Sequence, residues 1–262
     1  MARRAALVPL VVLVGLVGLV AGGLAACSVH VDLRDRGPRT TQHRDVTDVR
    51  ALDLGASGDV HLSVGAPALS VTGGADVLAD LSTTVRGDTL VVDLTGAWFD
   101  PGPLTYDLTL PALSSITLRG SGTVTGDVAG TGDATLDLTG SGRVDLAALD
   151  ADALRVSVSG SGEVTMGRVT ATSAVVEIAG SGHVRLAGTT GTLDVSIPGS
   201  GAVDAGTFQA RDARVTIAGS GTATVAASGT LDASVAGSGE VTYLGDPHVT
   251  SHVGGSGGVR RG

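Results

Sequence analysis

An all-β solenoid, wound as a parallel β-helix with about twenty residues per coil, is the fold this chain predicts. Three observations predict it. Gly-Ser-Gly recurs at 120–122, 140–142, 160–162, 180–182, 199–201, 219–221, 237–239 and 255–257, at spacings of 18 to 20 residues. Apolar residues stand at fixed offsets from each copy, and the residues between those columns change freely. A constant period of this length marks a repeat whose coils bury their apolar faces only against one another.

The chain opens with Arg3 and Arg4, an almost unbroken apolar run from Ala5 to Val20, and Leu24-Ala25-Ala26-Cys27. The run has the length of a signal-peptide core and is slightly short for a bilayer-spanning helix. Leu-Ala-Ala-Cys resembles a bacterial lipobox, so residues 1–26 are expected to be a lipoprotein signal peptide and Cys27 the lipid attachment site. An uncleaved membrane anchor is the alternative. Both readings place residues 28–262 outside the cytoplasm, on an exported, membrane-held protein. Cys27 is the only cysteine, so no intramolecular disulfide can form. Two acyl chains at that position give a durable anchor where one binds only marginally.

Residues 27–45 read as the lipidated cysteine and a polar tether, with Arg34, Arg36, Arg39 and Arg44 set against Asp32, Asp35 and Asp45 and no sustained period. The formal charge is −9, and all seventeen basic residues are arginine. That acidity argues against nucleic acid and against a basic face on anionic lipid. Lys and Asn are absent, which excludes a lysine nucleophile and an N-glycosylation sequon.

Residues 46–262 form the solenoid head, with less regular opening strands over 46–113 and the repeats over 114–262. Val60, Leu62 and Val64 alternate with Asp59, His61 and Ser63 after the turn Ala56-Ser57-Gly58. Leu90, Val92 and Leu94, then Tyr106, Leu108 and Leu110, repeat the pattern. Period-two spacing bounded by Gly and Pro is the strand signal. Asp76 to Leu81 suits one helical turn, a strand or a loop equally well.

In the repeats, Leu118, Leu138, Val158, Ile178, Ile197, Ile217, Val235 and Val253 stand two before each Gly-Ser-Gly. Val124, Val144, Val164, Val184, Val203, Ala223, Val241 and Val259 stand two after it. Alternate strand residues face opposite ways, so these columns are the interior. Each period is expected to hold two strands, one ending at Gly-Ser-Gly and one beginning there. Glycine supplies the corner with positive φ and close backbone approach. The hydroxyls of Ser121, Ser141, Ser161, Ser181, Ser200, Ser220, Ser238 and Ser256 are expected to bond from coil to coil as a ladder. None has a repeating His or Asp beside it, which a serine nucleophile requires. Ala233 and Ser251 weaken the column four before Gly-Ser-Gly, and with Arg260 and Arg261 they leave the C-terminal end blunted by polarity.

A lipobox, opening strands that end in Leu110-Pro111-Ala112-Leu113, serial Gly-Ser-Gly-x-Val units and the stretch Gly237 to Gly257 together resemble the bacterial putative autotransporter-adhesin head (GIN) domain family of unknown function. The resemblance covers residues 46–261. It implies a right-handed β-helical or β-solenoid fold at the cell envelope, and it carries no catalytic site.

His248 and His252 lie about 13 Å apart on one strand face, too far to share a zinc ion. His30, His43, His61 and His183, like that pair, are expected to face solvent. The residue after Gly-Ser-Gly varies from Thr123 and Arg143 to Glu163 and His183, so no acidic column suits a calcium roll. Asp145, Asp204 and Glu177 point outward without a glycosidase pair in a cleft. No metal and no cofactor is implied.

Trp98 and Phe99, in the irregular insertion Trp98-Phe99-Asp100-Pro101-Gly102-Pro103, are the candidate ligand contacts; their competing role is to cap the open end of the solenoid. The function expected is a lipid-anchored, non-enzymatic adhesion or interaction module of the cell envelope. Its partners would be the membrane, through the anchor, and an envelope protein or polysaccharide. An accessory or structural subunit of an envelope-stress or transport system is the alternative, and an enzyme acting on envelope glycans the third reading.

Overall fold

In the computed structural model, residues 36–262 are described, apart from Ala97, Phe99 and Thr131. The opening strands are β1 (Arg39–Arg44), β2 (Ala51–Leu54), β3 (Asp59–Val64) and β4 (Ala68–Gly74). The single helix among the described residues, α1 (Ala75–Asp80), follows, then β5 (Leu81–Arg86), β6 (Thr89–Leu94) and β7 (Thr105–Leu110). The repeats supply β8 (Ser115–Gly120), β9 (Thr123–Gly126), β10 (Ala134–Gly140), β11 (Arg143–Leu146), β12 (Leu149–Gly160) and β13 (Glu163–Gly180). They continue with β14 (His183–Ile197), β15 (Ala202–Gly219), β16 (Thr222–Gly237), β17 (Glu240–Gly245), β18 (His248–Gly255) and β19 (Gly258–Arg261).

These strands wind a β-solenoid of about 7 turns with about 20 residues per turn. Neighbouring coils are parallel and in register: Val164 pairs with Val184, Val176 with Val195, Ile197 with Ile217. The predicted apolar columns are the core, with Val156, Val176, Val195 and Val215 fully buried.

From β11 to β16 each coil shows three faces rather than the two strands expected. Along β13, burial alternates over Glu163–Met166, slips at Gly167 and Arg168, resumes at Val169 and Ala171, slips again at Thr172 and Ser173, and runs on to Ile178. Every slip marks a corner. The middle face escaped sequence reading because it is short and its inward residues share no size: Leu149, Val169, Gly188 and Phe208 occupy successive coils. Phe208, fully buried, stands opposite Gly188 in the ladder, so a large side chain and a missing one are neighbours.

Gly-Ser-Gly forms the third corner. At Gly180 φ is +143°, and an added Cβ would collide with the Gly160 carbonyl oxygen one coil back. A Cβ on Gly182 would stand 2.5 Å from Val158 Cγ1 and 2.9 Å from the Gly162 carbonyl oxygen. The serine between them is exposed, and the expected hydroxyl ladder is not what joins the corners. The backbone does so: Ser181 N–H donates to Gly160 O at 2.8 Å, and His183 N–H to Gly162 O at 3.0 Å. Stacking glycines brings the main chains close enough to bond directly, which turns the hydroxyls outward.

The opening segment departs from serial winding. β2 and β3 stack on β8 and β9, with Ala56-Ser57-Gly58 at the Gly-Ser-Gly corner, so residues 51–64 are a degenerate first coil. The chain then folds back: β6 and β7 stack in parallel on the far side of β2 and β3. β5 closes one sheet antiparallel to β6, while the other is closed by β4, antiparallel to β7, and then by β1, antiparallel to β4. α1 joins the two closing strands and buries Val77 and Leu78 over the end.

The tether expected over 27–45 thus yields Arg39–Arg44 to the head as β1. Arg44 supplies the reason, donating to the Leu78 carbonyl at 3.0 Å and to Gln42 Oε1 at 2.7 Å. Among the described residues no helix is long and apolar enough to cross a membrane.

Candidate interaction surface

Cys27 and Phe99 lie outside the described residues. Trp98 lies within them, on the loop between β6 and β7. Because β6 and β7 form the outermost parallel coil, this loop takes the place that Gly-Ser-Gly holds in the repeats. It is firmly tied. Arg36 Nε donates to the Asp100 carbonyl at 3.0 Å, and its guanidinium pairs with the Asp100 carboxylate. Arg39 donates to the Pro103 carbonyl at 3.1 Å, and the Asp100 carboxylate accepts from Gly102 N–H at 2.9 Å. Trp98 packs half-buried against the core and donates from Nε1 to Asp80 Oδ2 at 3.2 Å.

Tyr106, the third aromatic of this region, is 1% exposed inside the coil. Its hydroxyl has no hydrogen-bond partner, and burial pushes its pKa well above the usual phenol range.

The outward positions form long columns, one residue per coil. On the face that follows Gly-Ser-Gly, the register sets His43, Ser70, Asp107, His61 and Thr125 side by side on β1, β4, β7, β3 and β9. Ser70 Oγ and His43 Nδ1 are 2.9 Å apart, and His61 Nδ1 and Thr125 Oγ1 are 3.1 Å apart. Asp107 lies beyond Ser70, not behind His43, so the order that would orient a base for a nucleophile is reversed. Sequence reading missed this column because it depends on antiparallel pairing of segments far apart in the chain. Farther along the same face Asp145 and Asp204 share a column three strands apart, about 14 Å by strand spacing, while Glu177 belongs to another face.

Cross-coil ion pairs occupy much of the remaining surface. Arg143 pairs with Glu163, Arg185 with Asp204 at 3.3 Å, and Arg214 with Asp232 at 2.9 Å. Arg119 bridges Asp53 at 3.0 Å and Asp93 at 3.5 Å. Asp212 is held below the usual carboxylate range, first by the Thr230 hydroxyl at 2.7 Å and then by Arg211. Exposed pairs of this kind contribute little stability; they set adjacent coils in a fixed pattern of charge. Among the described residues no three His, Cys, Asp or Glu side chains converge to hold a metal ion. His248 and His252 project from the same exposed face of β18.

A family model described as putative auto-transporter adhesin, head GIN domain, matches residues 49–247. No curated protein matches the chain. Among solved structures, a putative adhesin from Parabacteroides distasonis ATCC 8503 shares 22% identity at a TM-score of 0.80, the match covering 86% of this chain and 98% of that one. A putative lipid binding protein from the same strain shares 26% identity at a TM-score of 0.79, covering 86% and 97%. A putative adhesin from Parabacteroides merdae ATCC 43184 shares 21% identity at a TM-score of 0.80, again covering 86% and 97%.

Proposed function

Because this chain belongs to the family of putative auto-transporter adhesin head GIN domains, we infer that it is a non-enzymatic interaction module, displayed outside the cytoplasm and held to the cell envelope by lipid on Cys27. The observation that carries the reading is the shape of the outward surface. Its polar side chains stand in columns along the sheet faces, rich in Thr, Ser, Asp and Arg, and several of the charges pair from one coil to the next. Such a surface suits many shallow contacts with an extended protein or polysaccharide. Chemistry on a bound substrate calls instead for convergent groups in a concave site.

A lipid ligand is the second reading, which the description of one relative as a putative lipid binding protein favours. It is the weaker one for this chain, whose interior is filled by its own Val, Leu and Ile columns. The void beside Leu113, Leu136 and Met166 is too narrow for an acyl chain.

The test is capture of envelope material on the intact, detergent-solubilised chain. Retention of a defined protein or polysaccharide is expected. A broad range of cell-surface ligands marks an adhesin and a single membrane protein marks an accessory subunit, while a clean failure on whole envelopes overturns the interaction reading.

A further inference from the structure

The two ends of the solenoid are finished differently. At one end β1, β4, α1 and β5 close the sheets and bury Val71, Val77, Leu78 and Leu81. At the other, among the described residues, β18 pairs only with β16 and β19 only with β17. Alternate residues of a parallel strand bond to opposite neighbours, so every second amide and carbonyl of β18 and β19 points past the end coil with no strand to meet it.

The inward columns are open there too. Val253 is 45% exposed, whereas Val235 one coil earlier is 1% exposed. Val249, Val259 and Tyr243 are only partly buried.

Charge selects among occupants for this edge. All Asp and Glu of the chain lie at or before Asp246, and beyond it stand His248, His252, Arg260 and Arg261. Arg260 reaches Glu240 at 2.8 Å and Arg261 reaches Asp246 at 3.4 Å, yet both arginine side chains stay more than half exposed, at 65% and 59%. The last described coil of an otherwise acidic chain therefore sets two half-exposed arginines, each paired with a carboxylate of that coil, beside an apolar patch.

A second copy is a poor match. End-to-end stacking of two C-terminal coils would set these cations against themselves. The other edges with no pairing strand among the described residues, β1 and β5, carry Arg39, Arg44 and Arg86 and no carboxylate. Like charges set directly opposite across paired strands are destabilising.

We propose that the C-terminal coil, through the free edges of β18 and β19, receives an extended strand of a partner protein that alternates apolar with acidic residues. Main-chain bonds to the edge supply affinity, as in other strand-addition interfaces. Val249, Val253 and Val259 receive the apolar side chains, and Arg260, Arg261, His248 and His252 select the acidic ones. The proposal rests on the interaction-module reading and gives it a site.

The experiment titrates the full, detergent-solubilised chain into a fluorescent decapeptide of Val alternating with Glu and Thr. Two companion peptides carry Lys for Glu, or N-methyl groups on alternate amides. The acidic peptide should bind saturably, with affinity at least tenfold weaker for both companions. Val253→Asp should weaken it tenfold or more, and Arg260→Glu with Arg261→Glu should invert the preference between Glu and Lys peptides. Each variant is first checked by circular dichroism.

Equal binding of all three peptides, or none, overturns the proposal. So does binding of phosphatidylglycerol vesicles, lost in the double arginine variant, with no peptide bound, which assigns the two arginines to lipid. Envelope capture that succeeds and is unaffected by Val253→Asp leaves the interaction reading standing while this site fails.

Discussion

The indole N–H of Trp98 meets the carboxylate of Asp80, the last residue of α1, at 3.2 Å, so the corner loop of the outermost coil is fastened to the helix that closes the solenoid. With Arg36 and Arg39 holding the same loop, the geometry supports Trp98 as part of the cap. A ligand anchor would have to give up these contacts or reach past them.

As a cap residue, Trp98 should matter to stability more than to binding. Trp98→Ala is expected to cost about 2 kcal/mol, below the 3–5 kcal/mol of a fully buried tryptophan because Trp98 is only partly covered. Denaturant unfolding measures this directly. Trp98 is the only tryptophan, so Asp80→Ala should shift its fluorescence to longer wavelength and cost about 1 kcal/mol. A folded Trp98→Ala chain of unchanged stability that no longer captures its envelope partner would return the residue to a binding role.

The Gly-Ser-Gly corners make opposite forecasts for adjacent residues. Gly180→Ala drives a Cβ into the Gly160 carbonyl at a φ of +143°, and a loss of about 3 kcal/mol or failure to fold is expected. Ser181→Ala removes only an outward hydroxyl and leaves the Ser181 N–H bond to Gly160 O intact, so a change within about 0.5 kcal/mol is expected. Paired melting curves decide. A large loss in Ser181→Ala would restore the hydroxyl ladder.

Tyr106 should set the alkaline limit of stability. Its folded pKa lies above the unfolded value of about 10, so the neutral form is the one the fold holds. That contribution is complete below pH 10 and is lost as pH rises from there toward the folded pKa. Tyr106→Phe removes a buried hydroxyl with no partner. It should be neutral or stabilising by about 1 kcal/mol at pH 7 and should flatten the decline above pH 10. A destabilised variant with an unchanged alkaline decline would contradict the account.

The proposed anchor is tested at Cys27. Metabolic labelling with a radioactive fatty acid should mark the natural chain and leave Cys27→Ala unmarked, and the variant should lose the lipid-dependent membrane fractionation. If Cys27→Ala stays in the membrane to the same extent, the N-terminal segment itself is the anchor.

The repeat half of the fold was legible because its constraint is local and periodic. Val164, Val184 and Val203 recur at one offset from Gly-Ser-Gly since every coil meets a copy of itself. The middle face was not legible, because Gly188 and Phe208 complement each other across a ladder and neither carries a period. The role of Arg39–Arg44 was hidden for a related reason. Nothing in Arg-Thr-Thr-Gln-His-Arg announces a strand until β4 and the carbonyl of Leu78 are there to receive it. Of the candidate contacts, Trp98 was visible as a rare aromatic in an irregular loop, but its hold on Asp80 arises only when β6, β7 and α1 meet.

By itself, then, the sequence determined the period, the apolar columns, the glycine corners and the family, since each is written in residues a fixed distance apart. The tertiary structure alone decided the third face, the return of residues 65–114 over the first coil, the column from His43 to Thr125, and the contrast between a first coil covered by closing strands and a last coil left uncovered among the described residues. These depend on which distant segments share an edge. Backbone hydrogen bonds hold those edges together, and because nearly every residue type can make them the pairing leaves little mark on residue identity.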